Sequence, residues 1–321
     1  MFNRIFFAAV FLVWLEFSFA ASYHPVSAVI VVNADDGEVI CSYNADTKTQ
    51  PASLTKMMTL LLAFKALYQK KISLSAKIPV SVRAASQKPS SLRLKMGESI
   101  SVRDAILALV IKSANDVAVA LAEYIGKTEK SFVCMMNREA KRLGMTSTKF
   151  FNASGWKDPQ QMTTARDMAT LARALLQKYP GYYHYFSQKQ FLFQGKCIKG
   201  HYMLLGKTES IDINGMKRSI SIDGIKTGFV NASGYNVAAS AVNGNSRLIA
   251  VVLGGKTSKA RDALAQVLLR KGFLKLASRK NIKNKKPAGA PLPSEPQKCA
   301  QALAKSSLQV HGIYNRINES S

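Results

Sequence analysis

Pro51-Ala52-Ser53-Leu54-Thr55-Lys56-Met57-Met58-Thr59-Leu60-Leu61-Leu62-Ala63-Phe64-Lys65-Ala66-Leu67 is the stretch on which the reading of this chain turns. Its leucines, methionines and Phe64 lie on nearly every side of a helical wheel, which predicts a helix over residues 54–67 buried in the middle of the protein. At its start a serine and a lysine stand three residues apart, a spacing that puts hydroxyl and amine on one helical face, where they can share a proton. A serine hydroxyl alone is a poor nucleophile. It needs an adjacent base, and a helix start adds free N–H groups able to stabilise an oxyanion. For Lys56 to accept the Ser53 proton near neutrality, its pKa must fall from about 10.4 toward about 7, a differential of roughly 4–5 kcal/mol. Burial beside a second cation supplies such a shift, and Lys226 is the candidate cation.

Outward from this helix, residues 26–33 form a β-branched run followed by Asp35-Asp36-Gly37 and a second strand-like segment over 38–43, an N-terminal hairpin. Helical patterns follow over 102–111, 115–125, 131–143 and 164–177. Strand character returns over 219–225, 235–242 and 247–253, the last two joined by an Asn243-Gly244 turn, and residues 261–276 close the fold as a helix. Strands at both ends with helices between predict an α+β fold: one antiparallel sheet built from both chain ends, flanked by helices, with an inserted helical subdomain. A near-repeat, Ser210-Ile211-Asp212 and Ser221-Ile222-Asp223, reads as an inserted turn.

The 45 Lys and Arg against 19 Asp and Glu give a net charge of +26, so the chain is drawn to polyanions or to an anionic surface. At 47% hydrophobic residues it is still a packed globule rather than a disordered polyelectrolyte. Interleaved basic and aromatic motifs, zinc ligands and a helix-turn-helix pattern are all missing, so no nucleic acid is expected. The four histidines, His24, His184, His201 and His311, form no close cluster, and no C-x-x-C pair occurs, so neither a metal nor a cofactor is expected.

Arg4, a mostly apolar run over 5–19 and Ser18-Phe19-Ala20 predict a secretory signal over residues 1–20. Export permits cysteine oxidation, but Cys41, Cys134, Cys197 and Cys299 are widely spaced and read as ordinary buried thiols, their pairing open. After Leu276 the basic residues lack acidic neighbours and four of the ten prolines fall between Pro287 and Pro296, which predicts a linker over 277–298 and a short tail over 299–321, with disorder as good a reading of that tail as a weak helix.

Ser-x-x-Lys alone is expected about once by chance in a chain this long. A second copy, Ser154 to Lys157, lies in a turn-forming stretch and is set aside as incidental. Ser-x-Asn also occurs twice. Ser42-Tyr43-Asn44 falls in the hairpin, whereas Ser113-Ala114-Asn115 sits between two helical patterns, where a polar loop can face a cleft. Lys226-Thr227-Gly228 occurs once, at the end of a strand-like segment. In this order the three elements match the S-x-x-K, S-D-N-like and K-T-G set of serine penicillin-binding proteins and class A β-lactamases.

Residues 25–276 resemble one branch, the low-molecular-mass D-alanyl-D-alanine carboxypeptidases of serine peptidase family S11. The resemblance is carried by residues 52–59, Ser113-Ala114-Asn115-Asp116, residues 152–155 and 163–168, Asp223-Gly224-Ile225-Lys226-Thr227-Gly228 and Gly234-Tyr235-Asn236. It implies a β-lactamase/DD-peptidase-like fold, with a catalytic domain over 21–276. Ser53 would be the acylated nucleophile, Lys56 its base, and Ser113 with Asn115 the proton relay and substrate-amide contact. Lys226, Thr227 and Arg261 would meet the substrate carboxylate, and the backbone N–H groups of Ser53 and Phe229 would form the oxyanion hole. The implied substrate is the peptidoglycan stem peptide, trimmed of its terminal D-alanine in the periplasm or cell envelope, and β-lactam antibiotics would be covalent inhibitors.

Three other readings stay open beside it. A DD-endopeptidase shares the chemistry. A β-lactamase is disfavoured because no convincing E-x-x-L-N segment supplies the glutamate for deacylation. A non-catalytic cationic protein would bind the cell wall by electrostatic association with anionic envelope surfaces. The chain also departs from the family: Tyr202 replaces the asparagine of a His/Arg-Asn-x-Leu-Leu stretch, residues 211–221 look inserted, leaving substrate contacts on that side in question, and the roughly 45 residues after 276 are too few for the β-rich second domain of many relatives.

Overall fold

The alternation in the first strand, β1 (Ala28–Asn33), sets the layering. Ala28, Ile30 and Val32 enter one hydrophobic cluster and Val29 and Val31 a second, so the strand is apolar on both faces and must be covered on both. The computed structural model describes residues 26–285, apart from residues 157 and 214. The signal expected over 1–20 and the tail over 299–321 lie outside the described residues.

β1 pairs antiparallel with β2 (Val39–Tyr43), the expected hairpin, and with β10 (Ser246–Gly255) from the other end of the chain. The sheet order is β2-β1-β10-β9-β8-β7, with β7 (Thr208–Ile213), β8 (Met216–Val230) and β9 (Gly234–Asn243) antiparallel throughout. Two small two-stranded sheets lie apart from it, β3 (Lys77–Pro79) with β4 (Ser99–Ser101), and the hairpin of β5 (Gln190–Phe193) with β6 (Lys196–Lys199). The α+β architecture is therefore the expected one, a sheet closed by both chain ends.

Between β2 and β7 the chain makes the helical region: α1 (Lys56–Tyr68), α2 (Val82–Ala85), α3 (Val102–Leu107), α4 (Asn115–Gly126), α5 (Glu129–Arg142) and α6 (Ala165–Lys178). Ser101, Thr128 and Thr164 cap α3, α5 and α6 by accepting N–H bonds at 3.0–3.1 Å, which accounts for where those helices start. From Lys56 to Leu67 every residue of α1 except Lys65 is buried, as its all-round apolar pattern requires. Phe64 lies at the centre, stacked on Tyr182 at 5.1 Å between ring centroids and edge-on to Phe186 at 6.1 Å. The opposite face of the sheet is covered by α7 (Ser258–Lys285) through Leu264, Leu268, Leu269, Phe273 and Leu276.

The structure corrects two expectations and locates a third. The linker predicted from residue 277 does not begin there. α7 runs on through Lys285, with Arg279 ion-paired to Glu38, because that partner on the β1–β2 turn offsets the missing acidic neighbours along the chain. The cysteines are not buried thiols: Cys134 and Cys197 are exposed and free, and Cys41 is disulfide-bonded. The segment read as an insertion forms β7 and the start of β8, a hairpin at the end of the strand away from Lys226. The ten residues from Met216 to Lys226 span on the order of 30 Å, so the hairpin lengthens the sheet without approaching that residue. Among the described residues no helix is long and apolar enough to cross a membrane.

Since Phe64 is fully buried, Phe64→Ala should cost about 3–5 kcal/mol of stability. Urea unfolding monitored by circular dichroism checks this, and a loss under about 1 kcal/mol contradicts the packing described.

Candidate active site

Ser53 does not stand in the first turn of an α-helix. It sits in a 3-10 turn, Ala52–Thr55, that feeds α1, and Ala52 before it adopts φ +49°, a left-handed conformation uncommon outside glycine. Two glycines let other backbone segments close on this turn. A Cβ on Gly155, whose φ is +83°, would lie 1.9 Å from the Ala52 carbonyl oxygen and 2.8 Å from Thr55 Oγ1. One on Gly228 would lie 3.0 Å from the Ser53 nitrogen. The K-T-G glycine is thus the residue that allows β8 to run against the serine turn.

Lys56 is 0% exposed, while Ser53 is half-buried and open to the cleft. Lys56 Nζ lies 3.0 Å from Ser53 Oγ, 2.7 Å from Asn115 Oδ1 and 2.7 Å from the Ser154 carbonyl oxygen. The three oxygens match the three N–H groups of an ammonium, with Nζ donating to Ser53 Oγ. Once the amine loses a proton, the two carbonyl oxygens keep its remaining N–H groups while its lone pair faces the Ser53 hydroxyl. Burial, and after it the charge of Lys226, hold the Lys56 pKa well below the ordinary lysine range, and Asp116 opposes them. The second cation anticipated from the sequence is therefore Lys226.

The helix expected over 102–111 breaks. After Leu107 it widens into a π turn, Ala108–Lys112, a feature frequent at functional sites, and ends on Ser113 at φ +60°, ψ +37°. Ser113 Oγ is buried and, among the described residues, has no hydrogen-bond partner. An unpaired buried hydroxyl costs about 1–3 kcal/mol, so this group keeps its bonding capacity for whatever enters the cleft. Asn115 opens α4. Its Oδ1 accepts from Lys56, its Nδ2 donates to the Lys88 carbonyl at 3.3 Å, and its own N–H donates to the Ser90 carbonyl at 2.6 Å. Asp116 beside it accepts from the N–H groups of Leu92, Leu94 and Val117 at 2.9–3.2 Å, tying the 90–94 loop to α4.

On the facing wall, Lys226 is 2% exposed and its Nζ donates to the Thr227 carbonyl at 2.9 Å. Burial, then the neighbouring Arg261, pull its pKa down to about 7. Thr227 Oγ1 lies 3.2 Å from His201 Nε2, and desolvation, followed by the charges of Lys226 and Arg261, lowers the His201 pKa to about 4. Arg261 is not a solvated helix-start charge. At 4% exposure it donates from Nε to Asp262 Oδ1 at 2.8 Å and from NH1 to the Asn236 carbonyl at 3.1 Å. Phe229 follows Gly228 in β8, half its surface exposed, with its ring 4.4 Å from that of Tyr235 on β9. Tyr202, where the family pattern has asparagine, donates to the Gly224 carbonyl at 3.1 Å and so still fastens its segment to β8.

The geometry thus gathers Ser53, Lys56 and Asn115 into direct contact and brings Lys226, Thr227 and Arg261 to the other side, with Ser113 at the end of the π turn. Sequence reasoning passed over the Ser154 carbonyl, Asp116 as an anchor, and His201. The 152–155 stretch stood out as a turn and as part of the family resemblance, but a backbone oxygen leaves no side-chain signature.

A profile described as D-alanyl-D-alanine carboxypeptidase, peptidase family S11, matches residues 17–257. The chain belongs to this family. It is 38% identical over 252 residues to D-alanyl-D-alanine carboxypeptidase DacC of Escherichia coli strain K12, an alignment covering 77% of this chain and 60% of DacC. The chain therefore spans about three fifths of that relative's length. Among solved structures, penicillin-binding protein 5 of Haemophilus influenzae superposes with a TM-score of 0.71 at 32% identity, covering 78% of this chain and 71% of that one. Penicillin-binding protein D2 of Listeria monocytogenes, solved in its ampicillin-bound form, gives 0.67 at 30%, covering 78% and 99%. The β-lactamase/DD-peptidase-like fold is accordingly the fold of this chain.

Gly155→Ala should lose about 2–5 kcal/mol, since it combines a left-handed φ with a collision against backbone. Gly97→Ala, at φ +85° with nothing within 4 Å, should lose only about 1 kcal/mol. Urea titration of both variants checks the difference, and equal losses contradict the close approach.

Proposed function

We propose that this S11 member is a serine D-alanyl-D-alanine carboxypeptidase that removes the terminal D-alanine from peptidoglycan stem peptides through an acyl-enzyme on Ser53. The observation that carries the reading is the buried Lys56 nitrogen 3.0 Å from Ser53 Oγ, its other two bonds going to carbonyl oxygens and none to a carboxylate. The substrate's terminal carboxylate is bound by Thr227 Oγ1 and the charges of Lys226 and Arg261. Ser53 Oγ attacks the carbonyl carbon of the scissile bond while its proton passes to Lys56 Nζ. The oxyanion is held by the N–H groups of Ser53 and Phe229. The C–N bond then breaks, D-alanine departs with a proton relayed from Lys56 through the Ser113 hydroxyl, and an ester remains on Ser53. Water, deprotonated by Lys56, hydrolyses that ester. Asn115 holds the Lys56 amine in line and presents its amide to the substrate.

A β-lactam enters the same path, its ring amide opening onto Ser53 with the leaving nitrogen still tethered, and the ampicillin-bound relative supports this reading. We assign residues 1–20 as an export signal, which puts the catalytic domain in the cell envelope where its substrate lies. The large positive charge adds electrostatic attraction to anionic envelope surfaces.

Two experiments test the proposal. Ampicillin should add its mass to Ser53 in the wild type and to no residue in Ser53→Ala, as read by peptide mass spectrometry. Lys56→Ala should lower D-alanine release from diacetyl-lysyl-D-alanyl-D-alanine by at least about a hundredfold. An adduct elsewhere, or undiminished release, overturns the assignment. The pH profile adds a signed check. Activity requires Lys56 uncharged, so kcat/KM rises with pH through its depressed pKa. It also requires Lys226 charged, so kcat/KM falls as pH passes about 7. Lys226→Arg, which does not titrate in this range, should remove the alkaline fall.

A further inference from the structure

At the other end of α1 from Lys56 the helical region forms an open pocket of about 540 Å³. Lys65, which lines it, is nine residues along the helix from Lys56, about 14 Å away. The volume falls within the roughly 300–1,000 Å³ of small-ligand sites. Its floor is apolar: Leu62 and Ala66 of α1, Ile125 of α4 and Met135 of α5. Its lining also carries five basic side chains and a single carboxylate, Glu139.

That carboxylate is already committed. Glu139 is 3% exposed, accepts from Lys65 Nζ at 3.0 Å and is ion-paired with Arg142, so its single negative charge is already shared between two cations. Burial would raise its pKa, but the bonds from Arg142 and Lys65 outweigh burial and keep it below the ordinary range. Lys71, Lys127 and Arg138 remain, and none has a carboxylate partner among the described residues. These three basic side chains beside an apolar floor complement an anion that carries an apolar body, the charge meeting the cations and the body covering the floor.

We infer that this cavity is a second binding site, for an anionic amphiphile whose phosphate or carboxylate meets Lys71, Lys127 and Arg138 and whose hydrocarbon body covers Leu62, Ile125 and Met135. The site belongs to the helical region alone and is independent of the chemistry at Ser53. A membrane phospholipid and a soluble organic phosphate offer the same recognition chemistry.

The test is calorimetric titration of the intact chain with octyl phosphate and with inorganic phosphate, beside flotation with phosphatidylglycerol or phosphatidylcholine vesicles. Octyl phosphate should bind at least about tenfold more tightly than inorganic phosphate, and Lys127→Glu/Arg138→Glu should weaken it at least about tenfold, each decade being 1.4 kcal/mol. Unchanged thermal melting verifies that the double variant is folded. If it is not, Arg138→Gln serves, with a loss of about threefold or more. Flotation on phosphatidylglycerol but not phosphatidylcholine, lost in the variant, identifies the lipid source. Octyl phosphate binding without flotation identifies a soluble ligand. Failure of octyl phosphate to bind, or equal binding by wild type and folded variant, overturns the inference.

Discussion

A lysine amine stripped of water beside a serine hydroxyl is the constraint on which the rest of this structure depends. Taking an ammonium ion out of water with no counter-charge is costly, and the usual outcome is that the group gives up its proton. Lys56 is placed to do so. It opens a helix buried on all sides from residue 56 to residue 64, Lys226 stands close enough to repel a charge, and the oxygens around it are two neutral carbonyls and a hydroxyl rather than a carboxylate. Among the described residues Asp116 is the acid whose charge acts on Lys56, and its oxygens accept from the backbone N–H groups of Leu92, Leu94 and Val117.

Drying this amine requires several chain segments to meet at one turn, and the layering supplies them. The strands from both chain ends form a sheet apolar on both faces, α7 covers one face, and α1 packs in the helical region on the other. β8 and the 152–155 segment then reach the Ser53 turn by backbone, at Gly228 and Gly155, where a side chain would hold them off. Ser113 is delivered differently, by a helix that widens into a π turn and stops in a left-handed residue. The strain and the unpaired hydroxyl there are stability given up in favour of the cleft.

Much of this was legible in the amino-acid sequence, for physical reasons. The apolar-all-round pattern of residues 54–67 has few homes other than the centre of a domain, and strands at both chain ends with helices between leave little choice of architecture. The Ser53/Lys56 spacing survives the change from α to 3-10 geometry because residues three apart are neighbours in both. What escaped was mostly made by backbone or by distant partners. The Ser154 carbonyl has no side-chain signature, the π turn at 108–112 preserves the apolar pattern of an ordinary helix, and α7 outlasts its apolar stripe because Glu38 lies beside Arg279. The exposure of Cys134 and Cys197 was equally invisible, since a cysteine's spacing says nothing of which face it occupies.

The chain has the S11 fold. Tyr202 bonds its segment to β8, and the β7–β8 hairpin extends the sheet at the end remote from Lys226. The account as a whole rests on the protonation state of one nitrogen, which 13C NMR of lysine-labelled protein reads directly, with the Lys56 Cε resonance assigned by its loss in Lys56→Arg. That resonance should titrate well below the ordinary lysine value of about 10.4 and move upward in Lys226→Met. A Lys56 signal that stays protonated until the pH reaches that ordinary value would contradict the account at its root.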